Sequence, residues 1–171
     1  MKKVHRTYAQ VEGGCLSIIR QMMTDKWTPD YIVGITRGGV IPATLISHFT
    51  NITMKPLEVS LRDSGVCTSD LSMSEDAFNG VKILIVDDIN DSGATLDWIR
   101  NDWQSSCLPT DLKWEHIWHN SVRFATIVDN AGSNAYVDYC AEEIDKREDD
   151  VWIVFPWEHW WAPWADNYDK G

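Results

Sequence analysis

Two adjacent carboxylates, Asp87 and Asp88, follow the apolar run Val81 to Val86 and precede Asp91-Ser92-Gly93-Ala94-Thr95, a small turn carrying two hydroxyls. Adjacent acids at a strand end can accept hydrogen bonds from sugar hydroxyls, or hold a magnesium ion already coordinated by substrate phosphates. The turn after them suits a phosphate. Glycine and small side chains let backbone N–H groups close on the anion, and a helix N-terminus adds favourable partial charge. Taken alone, Asp87 and Asp88 also read as a solvated acidic pair before a helix cap. The whole string favours a sugar-phosphate and magnesium site.

A second segment has the same form. Tyr31 to Ile35 is apolar, Thr36-Arg37-Gly38-Gly39 is a charged glycine turn, and Val40 to Thr50 is again apolar. The glycines permit close approach of the backbone to a ligand, and Arg37 supplies positive charge. A tight turn with an exposed arginine is the plainer reading, but two phosphate-suited strand ends in one small sheet support each other.

Branched apolar runs of this length suit central parallel strands covered on both faces. Strands are expected at about 31–35, 57–61, 81–86 and 124–128, alternating with helices near 40–50 and 94–105. This is the βα alternation of a doubly wound sheet, whose ligands bind outside the carboxyl ends of the strands. Thr7-Tyr8-Ala9-Gln10 reads as a capping box opening a first helix, with Leu16, Ile19 and Met23 as its apolar stripe. Leu112 to His119 suggests a further helix covered by Trp114, Ile117 and Trp118. Residues 62–79 read as a long polar loop, a form uncommon in compact domains unless it is a lid or disordered.

A length of 171 residues suits one domain, and a net charge of −11 disfavours nucleic acid or anionic lipid as a partner, since both need a positive field for encounter. Met1-Lys2-Lys3 leads into a polar stretch unlike a signal peptide, and no apolar run approaches a membrane span, so a cytoplasmic protein is expected. Cys15, Cys67, Cys107 and Cys140 lack metal-ligand spacing and read as reduced thiols.

The string Val86 to Leu96 resembles the phosphoribosyl-pyrophosphate signature of the type I phosphoribosyltransferases, and Thr36-Arg37-Gly38-Gly39 resembles their pyrophosphate loop. Phe124 to Asn130 is similar to the strand leading to base recognition in the xanthine-guanine and hypoxanthine branch. Asp138-Tyr139, followed by Trp152 to Glu158, is similar to its base-stacking segment. The resemblance spans roughly residues 8 to 158. It implies an α/β fold with a Rossmann-like parallel-sheet core at about 30–130, a small hood from 1–29 and 131–171, and a mobile loop at 62–79.

The implied chemistry is displacement of pyrophosphate from C1 of phosphoribosyl pyrophosphate by a purine nitrogen, a magnesium-dependent salvage reaction. On this resemblance Arg37 and Gly38 serve the diphosphate, and Asp87 and Asp88 serve ribose and Mg2+. Ser92, Gly93, Ala94 and Thr95 grip the 5′-phosphate, while Asp91 is the general base. Asn130, Trp152 and Ile153 meet the purine, through the ring of Trp152 and the backbone of Ile153. The 6-oxopurine enzymes carry a lysine where this chain has Asn130, and asparagine both donates and accepts. A 6-oxopurine is therefore expected, with adenine left open. The Trp-rich segment 157–164 is too apolar to stay wholly exposed, and a homodimer or homotetramer is expected. Asp145 to Asp150 reads as a solvated charged turn. A regulatory RNA-binding protein or a catalytically silent nucleotide-binding protein of the same fold is the alternative.

Overall fold

In the computed structural model of the chain, residues 1–59, 61 and 67–163 are described. Five parallel strands form the central sheet: β2 (Tyr31–Thr36), β3 (Met54–Glu58), β4 (Ile83–Asn90), β5 (Val122–Asn130) and β6 (Tyr139–Ile144), in spatial order β3-β2-β4-β5-β6. Helices α1 (Tyr8–Thr24) and α2 (Val40–Thr50) cover one face, where Ile32, Leu84, Val86, Ala125 and Ile127 meet Val11, Ile18, Ala43 and Ile46. Helices α3 (Leu71–Phe78) and α4 (Ala94–Ser106) cover the other, over Val33, Ile35, Ile83, Ile85 and Phe124. Burial on both faces explains why β2 and the first half of β4 read as unbroken apolar runs.

A separate two-stranded parallel sheet pairs β1 (Lys2–His5) with β7 (Val151–Val154), placing Val4 opposite Ile153. It brings the two ends of the described chain together. Ile153 and Phe155 lie in the core on the α1 side, and Trp157 stacks on Phe155 with ring centres 4.9 Å apart.

The sequence expectations hold for the order of the βα units and for the capping box, in which Gln10 N–H donates to Thr7 Oγ1 at 3.2 Å and Thr7 N–H to Gln10 Oε1 at 2.8 Å. Several details differ. Segment 139–144, assigned to the hood, is instead the edge strand β6 of the central sheet. Its partly exposed acids and short length hide the apolar pattern of a strand. On α1 the buried stripe is Val11, Cys15, Ile18, Ile19 and Met22, whereas Leu16 and Met23 face outward. Gly14 lets the helix pack closely on β5 and β6, since a methyl group there would stand 3.2 Å from Ala141 Cβ and 3.3 Å from the Ile127 side chain and would force a small shift.

Within 62–79, residues 71–78 form α3 rather than loop, capped by Asp70, whose carboxylate accepts from Met73 N–H at 3.1 Å. The lid expected of that segment includes residues 62–66, which lie outside the described residues. The expected helix at 112–119 is a short 3-10 turn at Leu112–His116. It delivers Trp114 to stack on Trp118 at 5.7 Å, and Trp118 stacks in turn on Phe124 at 6.0 Å. Each ring pair is worth about 0.5–1.5 kcal/mol beyond its buried area, so this short segment contributes to the core. Trp164 of the aromatic tail is outside the described residues.

Candidate active site

β4 runs further than its apolar pattern suggests, carrying Asp87, Asp88 and Ile89 within the strand. Side chains alternate across a strand, so Asp87 shares the face of Ile85 and Asp88 that of Val86, toward α2. Each carboxylate accepts the next backbone N–H: Asp88 N to Asp87 Oδ1 at 2.9 Å, and Ile89 N to Asp88 Oδ1 at 2.8 Å. The two side chains also interact with each other, since a hydrogen bond from Asp87 lowers the Asp88 pKa against the larger effect of burial.

The Arg37-Gly38-Gly39 turn closes directly on this strand end. A methyl group on Gly39 would stand 2.3 Å from the Val86 carbonyl oxygen, and one on Gly38 would stand 1.9 Å from Asp88 Oδ2. Only glycine allows that approach. The two segments singled out in the sequence therefore form one surface. Asp88 keeps a little exposed surface, yet desolvation by the surrounding protein pushes its pKa up from 3.8 to about 6, and the negative charge of Glu158 adds to the rise. Glu158 is itself pushed up, chiefly by burial. A hard cation would relieve both.

Beyond the strand, Gly93 takes φ +91°, and a side chain there would strike the backbone N of Ala135 at 2.7 Å. The turn can thus pack against the 133–135 loop while starting α4. Ala94 N–H reaches Ser92 Oγ at 3.3 Å, and Gly93 as N-cap supplies no side chain. Gly39 likewise leaves α2 without a side-chain cap. Two helix N-termini, with their partial positive charge, therefore open at adjacent strand ends. Ser92 and Ala94 are exposed and Thr95 is half-buried on the first turn of α4.

Asp91 lies between this turn and a feature that sequence reasoning passed over. Lys146 reaches in from the turn after β6 to place Nζ 2.9 Å from Asp91 Oδ1, with each side chain 19% exposed. The same Nζ stands 5.7 Å from the centre of the Trp152 ring. The expectation that Asp145 to Asp150 is wholly solvated is corrected for Lys146, although Asp145 and Arg147 do pair at the surface. A pair of cations among acids, between an edge strand and Trp152, was the available signal.

Asn130 is also placed differently from expectation. Its Nδ2 donates to the Asp91 carbonyl at 2.8 Å, while Oδ1 accepts from Gly132 N–H and Lys146 N–H, each at 3.2 Å. Three of its four hydrogen-bonding positions are thus spent on the protein's own backbone. The reason lies in the turns after β5 and β6, whose Gly132 and Lys146 N–H groups fall beyond the strand ladder and take the nearest acceptor. Trp152 remains 38% exposed, whereas Ile153 is buried and can offer a ligand only its backbone.

The phosphoribosyl transferase domain model matches residues 4–163 of the chain. The chain belongs to the phosphoribosyltransferase family. The xanthine-guanine phosphoribosyltransferase of Cereibacter sphaeroides is 30% identical to it over 132 residues, which cover 74% of this chain and 68% of that protein. A purine phosphoribosyltransferase structure from Pyrococcus horikoshii superposes with a TM-score of 0.67 at 26% identity, covering 93% of this chain and 96% of that one. The Helicobacter pylori xanthine-guanine-hypoxanthine phosphoribosyltransferase shares the fold, with a TM-score of 0.68 at 17% identity and coverage of 96% and 97%. In this phosphoribosyltransferase the parallel α/β sheet and its flanking helices follow the architecture of those structures. Among the described residues, no helix is long and apolar enough to cross a membrane.

Proposed function

We propose that the chain transfers the 5-phosphoribosyl group of phosphoribosyl pyrophosphate to a purine base and releases pyrophosphate. Family membership and the purine enzymes among its relatives support this reading. The observation that carries it is the contact of Gly38 with the Asp88 carboxylate, which joins the glycine turn to the acidic strand end.

The transition state of such a displacement has oxocarbenium character, so rate comes from steadying the leaving diphosphate and orienting the base. Arg37 and the Gly38 backbone would face the diphosphate. Asp87 and Asp88 would take the ribose hydroxyls, and Ser92, Gly93, Ala94 and Thr95 would take the 5′-phosphate at the α4 N-terminus. Asp91 would accept the purine proton.

A magnesium ion fits Asp87 and Asp88, because the donors are all oxygen and Asp88 carries an uncompensated desolvation cost. Among the described residues, no group of three or more acidic, histidine or cysteine side chains forms a protein-only metal cage. An ion shared with substrate phosphates would supply charge to the departing diphosphate. A homo-oligomer in the cytoplasm belongs to the same reading, and a mass measurement in solution tests its assembly.

The direct test measures pyrophosphate release with hypoxanthine, guanine, xanthine, adenine and uracil in the presence of phosphoribosyl pyrophosphate and magnesium. Release with a purine is expected. Binding of phosphoribosyl pyrophosphate without release for any base would favour a catalytically silent binding protein. Asp91→Asn should nearly abolish turnover while phosphoribosyl pyrophosphate still binds, and unchanged turnover would remove the role given to Asp91.

A further inference from the structure

Three chemically distinct side chains stand close together beside the phosphate turn. Asp91 presents a carboxylate acceptor, Lys146 an ammonium donor 2.9 Å from it, and Trp152 an exposed aromatic face against which a planar ring can stack. An acceptor and a donor side by side, with a stacking surface, match a heterocycle edge that offers a ring N–H beside a carbonyl oxygen.

Resting on the phosphoribosyl-transfer reading above, we infer that Lys146, rather than Asn130, selects the acceptor base, by donating to an exocyclic oxygen while Asp91 takes the adjacent ring N–H. An ammonium has three donors and no acceptor, and one of its N–H groups lies on Asp91. It complements a 6-oxo group and meets a 6-amino group donor to donor. The same chemistry operates on nucleic acid, where lysine pairs with the oxygen-6 and nitrogen-7 edge of guanine and asparagine with the corresponding edge of adenine. Asn130 does not compete for that edge, since its oxygen accepts from Gly132 and Lys146 and its amide donates to Asp91. Its work is positioning. One side chain ties the backbone of the carboxylate and the backbone of the lysine to the end of β5. A partly buried ammonium held in this way discriminates, because a 6-amino group would leave one of its remaining N–H donors facing another donor instead of an acceptor.

The test uses the full chain, with hypoxanthine, adenine and 6-unsubstituted purine as acceptors and pyrophosphate release as readout. Wild type should prefer hypoxanthine to adenine. Lys146→Met should lower kcat/KM for hypoxanthine by about 10- to 100-fold, the loss of one hydrogen bond to a charged donor. With 6-unsubstituted purine the loss should be about tenfold smaller than with hypoxanthine, since no oxygen is there to lose and only the pairing of Lys146 with Asp91 is disturbed. Lys146→Arg should restore part of the hypoxanthine activity. Lys146→Gln replaces the methionine variant if that one does not fold. Equal losses with all three bases would mean that Lys146 only holds Asp91 in place, and would overturn the inference. So would a wild-type preference for adenine, or hypoxanthine turnover indifferent to Lys146. In those cases the transfer reading stands, whereas no release from wild type with any base removes both.

Discussion

Asp88 should make the fold less stable than its amide would, and by an amount that depends on pH. Its pKa rises from 3.8 to about 6 on folding, because burial penalises the charged form and Glu158 adds repulsion. Below about pH 3 the carboxyl is mostly protonated in both the folded and unfolded states and costs little. Between pH 4 and 6 the unfolded chain ionises while the folded chain holds its proton, so this group's contribution to stability falls as pH rises. Above pH 6 the deficit is constant, about 3 kcal/mol for that rise. Asp88→Asn keeps an oxygen to accept the Ile89 N–H and removes the charge. The variant should therefore exceed wild type by less than about 1 kcal/mol near pH 4 and by up to about 3 kcal/mol at pH 8 without magnesium. For a chain of this length that is a gain of roughly 6 to 12 °C in Tm. Urea melts of both proteins at the two pH values measure it. Glu158→Gln should give a smaller gain of the same sign. A variant no more stable than wild type at pH 8, or a gap independent of pH, would refute the reasoning. Magnesium with phosphoribosyl pyrophosphate should stabilise wild type more than Asp88→Asn.

Gly38→Ala would place a methyl group 1.9 Å from Asp88 Oδ2, so the turn must withdraw and transfer should fall by about 100-fold or more, with the fold retained by circular dichroism. Asn130→Ala leaves three backbone groups seeking partners and should cost about 2–3 kcal/mol in urea melts; a cost below about 0.5 kcal/mol would deny its positioning role. Chelation of divalent cations should abolish pyrophosphate release and magnesium should restore it, whereas release that persists in chelator would remove the metal role of Asp87 and Asp88. With wild type, magnesium dependence should grow steeper as pH falls through about 6, since the ion then competes with a proton for Asp88.

Local pattern carried much of this protein. The apolar runs at Tyr31 and Ile83, the glycine turn, the acidic pair and the Thr7 capping box were legible because neighbouring residues alone determine them. Periodicity, backbone freedom at glycine and side-chain capping act over a few positions. The short elements were less legible. β6 and α3 carry mixed polarity, and the burial that stabilises them comes from segments far away in the chain.

The base niche shows where sequence stops. Residue types placed Asp91 beside the phosphate turn and Trp152 on a later segment, but the contacts of Asn130 and Lys146 differ from those that their residue types suggest. Asn130 looked like a reader of the base and is occupied by backbone at the end of β5. Lys146 looked like one charge in a solvated turn and stands against Asp91, 55 positions earlier in the chain. Sequence determined which charges and hydrogen-bonding groups the protein owns. Only the pairing of β5 with β6, which brings the turn after β6 against the end of β4, decided which of them face a ligand and which satisfy the chain itself.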